Sequence, residues 1–362
     1  MLTAKEKYRY DRQIKLDSIG LSGQQKITQS SVLVIGAGGL GCPVLLYLAA
    51  AGIGKIGIVD FDTVNETNLH RQILFNQNDI GNNKAFAAAE KIKALNSFVE
   101  IEILPKKLDQ ELALKLIPQY DIVVDATDNF TTRYLINDAC VLLNKPFVYG
   151  SVYKTEGQVS VFNYHNGPTY RCLFPKPPAF AASCEEVGVM GVLCGIIGAK
   201  QTNEVLKMIT GNGDILSGKL EMYDSMKASS NIFSFERNAK IVADNLRNET
   251  DFLNFDYALF CGEQETTYSV TPEQFRTWIN DQTVQILDIR QEWEDPKLDY
   301  PQIIAMPFQE IENAAPLLSR DQKIVVVCQY GTRSSVAVDY LRGKHQFSNV
   351  FHLKGGLQQY AF

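Results

Sequence analysis

Val32-Leu-Val-Ile-Gly-Ala-Gly-Gly-Leu-Gly41 is the stretch on which the reading of this chain turns. Val32–Ile35 is a short β-branched run and reads as a buried parallel strand. Gly36, Gly38, Gly39 and Gly41 crowd the turn into an alanine- and leucine-rich helix predicted over Val44–Gly52. Glycines there let backbone N–H groups approach a phosphate at a helix N-terminus, where the dipole favours negative charge. The next apolar run ends in Asp60-Phe-Asp62. Asp60 lies about twenty residues beyond the turn, where a carboxylate accepts hydrogen bonds from ribose hydroxyls. The pattern is a nucleotide-binding βαβ unit. It does not separate NAD, FAD and ATP, and tight strand–helix packing uses similar glycines.

The chain has 362 residues, enough for two domains with a core in each. A net charge of −6 argues against nucleic acid or an anionic membrane as partner. The N-terminal stretch MLTAKEKYRYDRQ is charged and lacks an apolar h-region, so no secretory signal is expected. Val187–Ala199, the longest apolar stretch, is glycine-broken and too short to span a bilayer. Seven scattered cysteines do not form a secreted disulfide framework. A reducing cytoplasm fits, and single cysteines become candidates for chemistry.

Arg9, Asp11, Arg12, Gln13 and Lys15 form a charged N-terminal arm that, taken alone, reads as a solvated face. Gly81-Asn-Asn-Lys84 opens an alanine-rich helix over Ala85–Leu95. Lys84 at a helix start opposes the dipole, so its placement asks for an anion, with a surface ion pair as the plainer reading. Asp121–Asp125 reads as a buried strand running into Asp128-Asn129. Carboxylates at the C-terminal end of a parallel strand lie where open α/β sheets bind ligands. Asp128 suits the Mg²⁺ of a bound nucleotide, or else caps the helix predicted over Thr131–Leu143. A hairpin is expected from Phe147–Val152 and Gln158–Tyr164, a proline-rich approach leads to Cys184, a helix covers Met190–Thr210, and Lys219–Tyr223 is a further strand. Periodicity fades after about Asn238, and residues 241–266 read as a linker.

The last hundred residues form a second, smaller α/β domain over 267–362. The strand Ile324–Val327 runs into Cys328-Gln-Tyr-Gly331-Thr-Arg333-Ser334 and a helix to Leu341. Backbone N–H groups of such a loop, the helix N-terminus and the Arg333 guanidinium would stabilise a thiolate. That thiolate can act as a nucleophile or hold a persulfide. Cys-x4-Arg makes a compact ring suited to one sulfur, one residue shorter than the loop that surrounds a tetrahedral phosphate.

Residues 1–240 resemble the ThiF/MoeB/HesA group of ubiquitin-activating-type adenylyltransferases. The resemblance rests on Tyr10-Asp-Arg12-Gln13, the glycine turn, Asp60-Phe-Asp62, Asn68-Leu-His-Arg71-Gln72, Gly81-x-x-Lys84, Asp125-x-x-Asp128-Asn129 and Gly188-Val-Met, all in order. Residues 267–362 resemble a single rhodanese domain through Asp288-Ile-Arg290, Cys328-x-x-Gly-x-Arg333-Ser334 and Gly355-Gly356-Leu. The implied fold is a Rossmann-like domain with a mixed, largely parallel sheet plus a small rhodanese-like α/β domain.

The resemblance implies an activator of a ubiquitin-like sulfur-carrier protein ending in Gly-Gly, using ATP and Mg²⁺. It places Asp60 on the ribose, with Asp62 and Gln72 in the nucleotide set. Asn68, Arg71 and Lys84 would contact the triphosphate, Asp128 would hold Mg²⁺, and Arg12 would reach the ATP of the other subunit of a homodimer. Cys184 would match the cysteine that can bond to the carrier's C-terminus, and Cys328 would carry a persulfide supplied by a separate donor.

Two departures stand out. Related activators often hold zinc through two Cys-x-x-Cys pairs, whereas Thr169-Tyr-Arg-Cys172 keeps one cysteine and Arg237–Asp244 keeps none, so no structural zinc is expected. Leu298-Asp-Tyr-Pro-Gln-Ile stands where rhodanese domains usually have a Gly-His-Ile segment. Two other readings are a Rossmann oxidoreductase, which leaves Arg71, Lys84 and Asp128 without a task, and a non-catalytic docking protein for a ubiquitin-like partner.

Overall fold

In the computed structural model, residues 1–178, 188–245, 248–261, 268–280 and 284–360 are described. The chain divides into two compact units, one of Met1–Pro177 and Ser183–Cys261 and one of Pro178–Ala182 and Gly262–Phe362.

In the first unit, Ser31–Ile35 (β1) is an interior strand, third from one edge of an eight-stranded sheet. It pairs in parallel with Lys55–Val59 (β2) on one side and Ile122–Asp125 (β4) on the other. Glu100–Leu104 (β3) extends the sheet beyond β2, and Phe147–Tyr153 (β5) extends it beyond β4, both in parallel. Glu156–Phe162 (β6), Lys219–Asp224 (β7) and Ser229–Ser234 (β8) continue it antiparallel. Burial on both faces explains the unbroken apolar runs. Val32 and Val34 pack among the helices Gly41–Ala51, Lys84–Leu95 and Gly191–Thr210. Leu33 and Ile35 face the opposite side, with the helices Gln110–Leu116 and Phe130–Leu142. Strand order reverses between β1 and β4, so the crevice beyond Ile35 and Asp125 is the topological switch point where such sheets take ligands.

The expected hairpin forms with a two-residue turn at Lys154-Thr155, Lys154 adopting a φ of +53°. Strand β8 escapes the sequence reading because Ser229-Ser-Asn-Ile-Phe-Ser234 is a polar edge strand with Ile232 and Phe233 exposed. The linker expected from residue 241 is corrected over its first twenty residues. Helices Ala239–Asn245, Glu249–Leu253 and Tyr257–Phe260 belong to the first unit, with Phe252 and Tyr257 buried in its core. Their hold is polar as well as apolar: Tyr257 donates to Asp138 Oδ2 at 2.9 Å, and Gln110 donates to the Phe255 carbonyl. Buried Arg171 forks onto both oxygens of Asp138 at 2.7 Å. Short polar helices of this kind carry little periodic signal.

The second unit holds a five-stranded parallel sheet. Its strands are Ser269–Val270 (β9), Val284–Asp288 (β10), Ile303–Ala305 (β11), Lys323–Val327 (β12) and Val350–Leu353 (β13), in the order β11-β10-β12-β13-β9. Cys328 follows the central strand β12 and precedes the helix Thr332–His345. Among the described residues, no helix is long and apolar enough to cross a membrane.

Candidate active site

The glycine turn is shaped by close approaches. Gly36 has a φ of +96°, a left-handed conformation that favours glycine, and its N–H donates to the Val59 carbonyl. A Cβ on Gly41 would stand 2.0 Å from the Gly36 carbonyl oxygen, so a side chain there would unwind the turn. Asp60 closes the same turn: its Oδ2 accepts the Ala37 N–H at 2.7 Å and its Oδ1 the Asp62 N–H at 2.8 Å. Burial pushes the Asp60 carboxyl up, against the opposing pull of Lys84 and those two amides. A carboxylate has about four acceptor sites, so lone pairs remain for ribose hydroxyls.

Lys84 is placed by the cap beneath it. Asn83 accepts the N–H groups of Ala85 and Phe86 and donates to the carbonyls of Asp60 and Asp62, tying the helix start to the end of β2. The Lys84 side chain is only 8% exposed, and its Nζ lies 3.1 Å from Asp62 Oδ2. The cation is thus turned inward at the helix start and paired with Asp62, not an exposed lysine in a surface pair.

Asn68 and Gln72 are buried in the loop after β2. Asn68 Oδ1 accepts the Asn65 N–H, and Gln72 Oε1 is buried and meets no hydrogen-bond partner among the described residues. Gln72 Nε2 lies 3.7 Å from where a Cβ on Gly38 would stand, so an unspent polar group sits beside the glycine turn. The Arg71 stem passes the same distance from Gly39, and its guanidinium donates to the Thr67 carbonyl at 3.1 Å.

At the end of β4 the two aspartates separate. Asp125 is wholly buried, accepting the Arg133 Nε–H at 3.1 Å and both the N–H and hydroxyl of Thr127. Arg133 also donates to the Thr127 carbonyl, which fixes the turn that presents Asp128. Asp128 is exposed, and the helix Phe130–Leu142 is capped by Asn129 instead. Asp128 takes no part in the cap, and an exposed carboxylate of this kind could serve a nucleotide-bound cation.

The N-terminal motif splits into anchors and a projecting cation. Buried Tyr10 accepts a hydrogen bond from Asn96 and packs against Gly52, while Gln13 donates to Gln24 and the Ala51 carbonyl. Arg12 points outward with a side chain 92% exposed, 3.9 Å from Asp11. Cys184 lies outside the described residues.

Cys172, the remnant of the zinc pairs, meets Thr169 and Asn238, whose N–H groups each donate to its Sγ at 3.4 Å. One thiol among amides and a hydroxyl is not a donor set that fits zinc. Among the described residues no cluster of three potential ligands forms elsewhere.

In the second unit Cys328 is fully buried. The Gly331 N–H points at its sulfur from 3.1 Å and the Ser334 N–H from 3.4 Å, and the thiol donates to the Ser334 hydroxyl. Carbonyls of the loop are drawn the other way, Cys328 accepting the Leu357 N–H and Gln329 the Gln358 N–H, both at 3.0 Å. The Arg333 guanidinium forks onto Glu294, a residue the motif does not include, in a charge-assisted bidentate pair. Arg290 is likewise bidentate on Asp288.

A doubly wound sheet with polar groups gathered at its switch point, followed by a separate cysteine-loop domain, defines a nucleotide-binding protein with a second, thiol-bearing domain. Comparison with known proteins sharpens this class. The ThiF family matches residues 10–242 and the rhodanese-like domain residues 271–361. The chain belongs to the ThiF family and carries a rhodanese-like domain at its C-terminal end. It is 37% identical to the probable adenylyltransferase/sulfurtransferase MoeZ of Mycobacterium tuberculosis, over 99% of this chain and 94% of that one. Identity is also 37% with the adenylyltransferase and sulfurtransferase MOCS3 of Xenopus laevis, over 99% and 87%. The sulfur carrier protein adenylyltransferase of Thermus thermophilus is 46% identical over 72% of this chain and 98% of its own. Among solved structures, E. coli MccB with ATP superposes with a TM-score of 0.55 at 23% identity, covering 64% of this chain and 72% of that one, a likeness of fold. The chain is thus an enzyme of the adenylyltransferase class with a sulfurtransferase domain, and neither an oxidoreductase nor a docking role is favoured.

Proposed function

We propose that the first unit uses ATP to adenylate the C-terminal glycine of a ubiquitin-like sulfur-carrier protein, and that the second supplies the sulfur that turns the adenylate into a thiocarboxylate. The observation carrying this reading is the set at the switch point: inward-turned Lys84, Arg71 beside the glycine turn, and the exposed Asp128 carboxylate. A carrier carboxylate oxygen attacks the α-phosphorus, and pyrophosphate leaves. Charge grows on the phosphate oxygens during that displacement, and Lys84 and Arg71 are the preorganised cations that would meet it. Mg²⁺, for which Asp128 is the proposed ligand, neutralises phosphate charge when bound. Asp60 would hold the ribose, with Asn68, Gln72 and Asp62 lining the nucleotide. Arg12, which projects into solvent, would complete the site of a partner subunit in a homodimer.

The sulfur step follows from the second loop. A donor persulfide loads Cys328, whose sulfur rests against two amides and a hydroxyl able to stabilise a thiolate or persulfide anion. The terminal sulfur displaces AMP from the adenylate. A second thiol then breaks the S–S bond, releasing the thiocarboxylate and leaving a disulfide for a reductant to reopen, and Cys184 is the residue we propose can bond to the carrier's C-terminus. A reducing cytoplasm is the compartment that keeps this cycle running. The direct test is the intact mass of Gly-Gly-ended carriers incubated with the chain, ATP, Mg²⁺ and a persulfide source. A shift equal to exchange of one oxygen for sulfur supports both halves. An adenylate alone confines the activity to the first unit, and an unchanged mass with every carrier overturns the reading.

A further inference from the structure

His70 and Arg71 are adjacent in the chain, and their side chains meet. Arg71 NH1 lies 3.0 Å from His70 Nε2. A guanidinium has only donors, so Nε2 must be the acceptor, and the ring is neutral with its proton on Nδ1. The arrangement has a second support across the fold. A Cβ on Gly191 would stand 2.4 Å from the His70 carbonyl oxygen and 3.3 Å from His70 Nδ1, so glycine at the start of that long helix admits the histidine. Arg71 is thereby fixed at both ends: its guanidinium by His70 and the Thr67 carbonyl, its stem against Gly39.

We infer that His70 is a positioning residue for adenylation: its neutral ring holds the Arg71 guanidinium where a triphosphate would meet it, and protonation of the ring releases it. The inference rests on the adenylation reading above. A protonated imidazole has no lone pair to offer and places a second cation against the guanidinium. His70 is exposed, yet partial desolvation and then Arg71 hold it below its ordinary value, and among the described residues Arg71 is the charge that acts on the ring. Among the described residues, the glycine turn and the Gly191-Val192 start of the helix bring no other charge to it. Cys194, which packs against Gly39, is a buried thiol with a raised pKa and stays neutral.

The test is carrier-dependent ATP–pyrophosphate exchange by the full chain between about pH 8 and pH 5.5, for the wild type, His70→Gln and His70→Ala. Glutamine offers an acceptor near the Nε2 position that does not titrate. Expected for the wild type is a loss that deepens toward acid below about pH 6.5, carried mainly by a rising KM for ATP. His70→Gln should lose that acid limb, and His70→Ala should show a raised KM at both ends of the range. An unchanged acid limb in His70→Gln, or a wild-type KM in His70→Ala at high pH, overturns the proposal. If the wild type shows no exchange at any pH, the adenylation reading fails instead. ATP affinity of the same variants, measured calorimetrically across the same range, then decides whether His70 governs Arg71.

Discussion

Glu294 and Arg333 form a two-pronged ion pair that joins the loop after β10 to the cysteine loop after β12, with Arg333 NH1 2.9 Å from Glu294 Oε2. The pair ties the cysteine loop to the loop after β10. Burial raises the Glu294 carboxyl, but Arg333, the Gln291 N–H and Arg290 outweigh it and hold the carboxyl below its ordinary 4.5. A carboxylate depressed in the folded state contributes stability above its unfolded pKa and loses it as pH falls through the folded one. Glu294→Gln should therefore lower the unfolding temperature of the second unit at neutral pH and flatten its decline in acid. Equal slopes in the two proteins would show that the pair contributes nothing to acid stability.

Gly356 lets the chain pass directly over the cysteine loop. A Cβ on it would stand 2.5 Å from the Gln329 carbonyl oxygen and from the Tyr330 nitrogen, and 2.6 Å from the Cys328 carbonyl oxygen, at a φ of +63°. These are backbone atoms that cannot swing aside, and a left-handed non-glycine residue costs a further 1–2 kcal/mol or so. Gly356→Ala should cut persulfide loading of Cys328 by about tenfold or more while leaving ATP–pyrophosphate exchange intact. Wild-type loading in that variant would mean the loop tolerates displacement and its amides do not hold the sulfur.

Cys328→Ser separates the half-reactions by chemistry alone. A hydroxyl fits the same contacts with Gly331 and Ser334 but cannot carry a persulfide sulfur. Adenylate formation should persist while thiocarboxylate vanishes, both read from the carrier's mass. Continued sulfur transfer would move the role to another cysteine.

Sequence reading reached the doubly wound sheet and the cysteine loop because both rest on local signals: β-branched runs, glycine turns and polar residues just past strand ends. It grouped the site residues but not their relations. Nothing local says that Asp125 is consumed by Arg133 while Asp128 stays open, since both follow one strand. Glu294 lies thirty-nine positions from Arg333, and such pairings arise from topology rather than periodicity. Tyr257 reaches Asp138 from a stretch whose weak pattern reads as linker, its burial decided by the long-range partner. His70 lies inside the Asn68–Gln72 motif, and only the 3.0 Å contact in the fold relates it to the Arg71 guanidinium.

Arg12 and Asp128 offer the sharpest test of the assembly. Both are exposed in the single chain, Arg12 on an arm whose neighbours Tyr10 and Gln13 are pinned, so the arginine has a fixed base and a free tip. If each site draws Asp128 from its own subunit and Arg12 from the partner, Arg12→Ala and Asp128→Ala homodimers are both inactive in pyrophosphate exchange. In a heterodimer of the two, one site receives both intact residues and the other neither. Random mixing then restores about a quarter of wild-type exchange, because half of the dimers are mixed and each has one good site. Recovery should require subunit exchange, so it appears after co-expression and not on brief mixing of stable dimers. No recovery from a co-expressed pair that sediments as a dimer would place Arg12 in its own subunit's site or outside catalysis altogether.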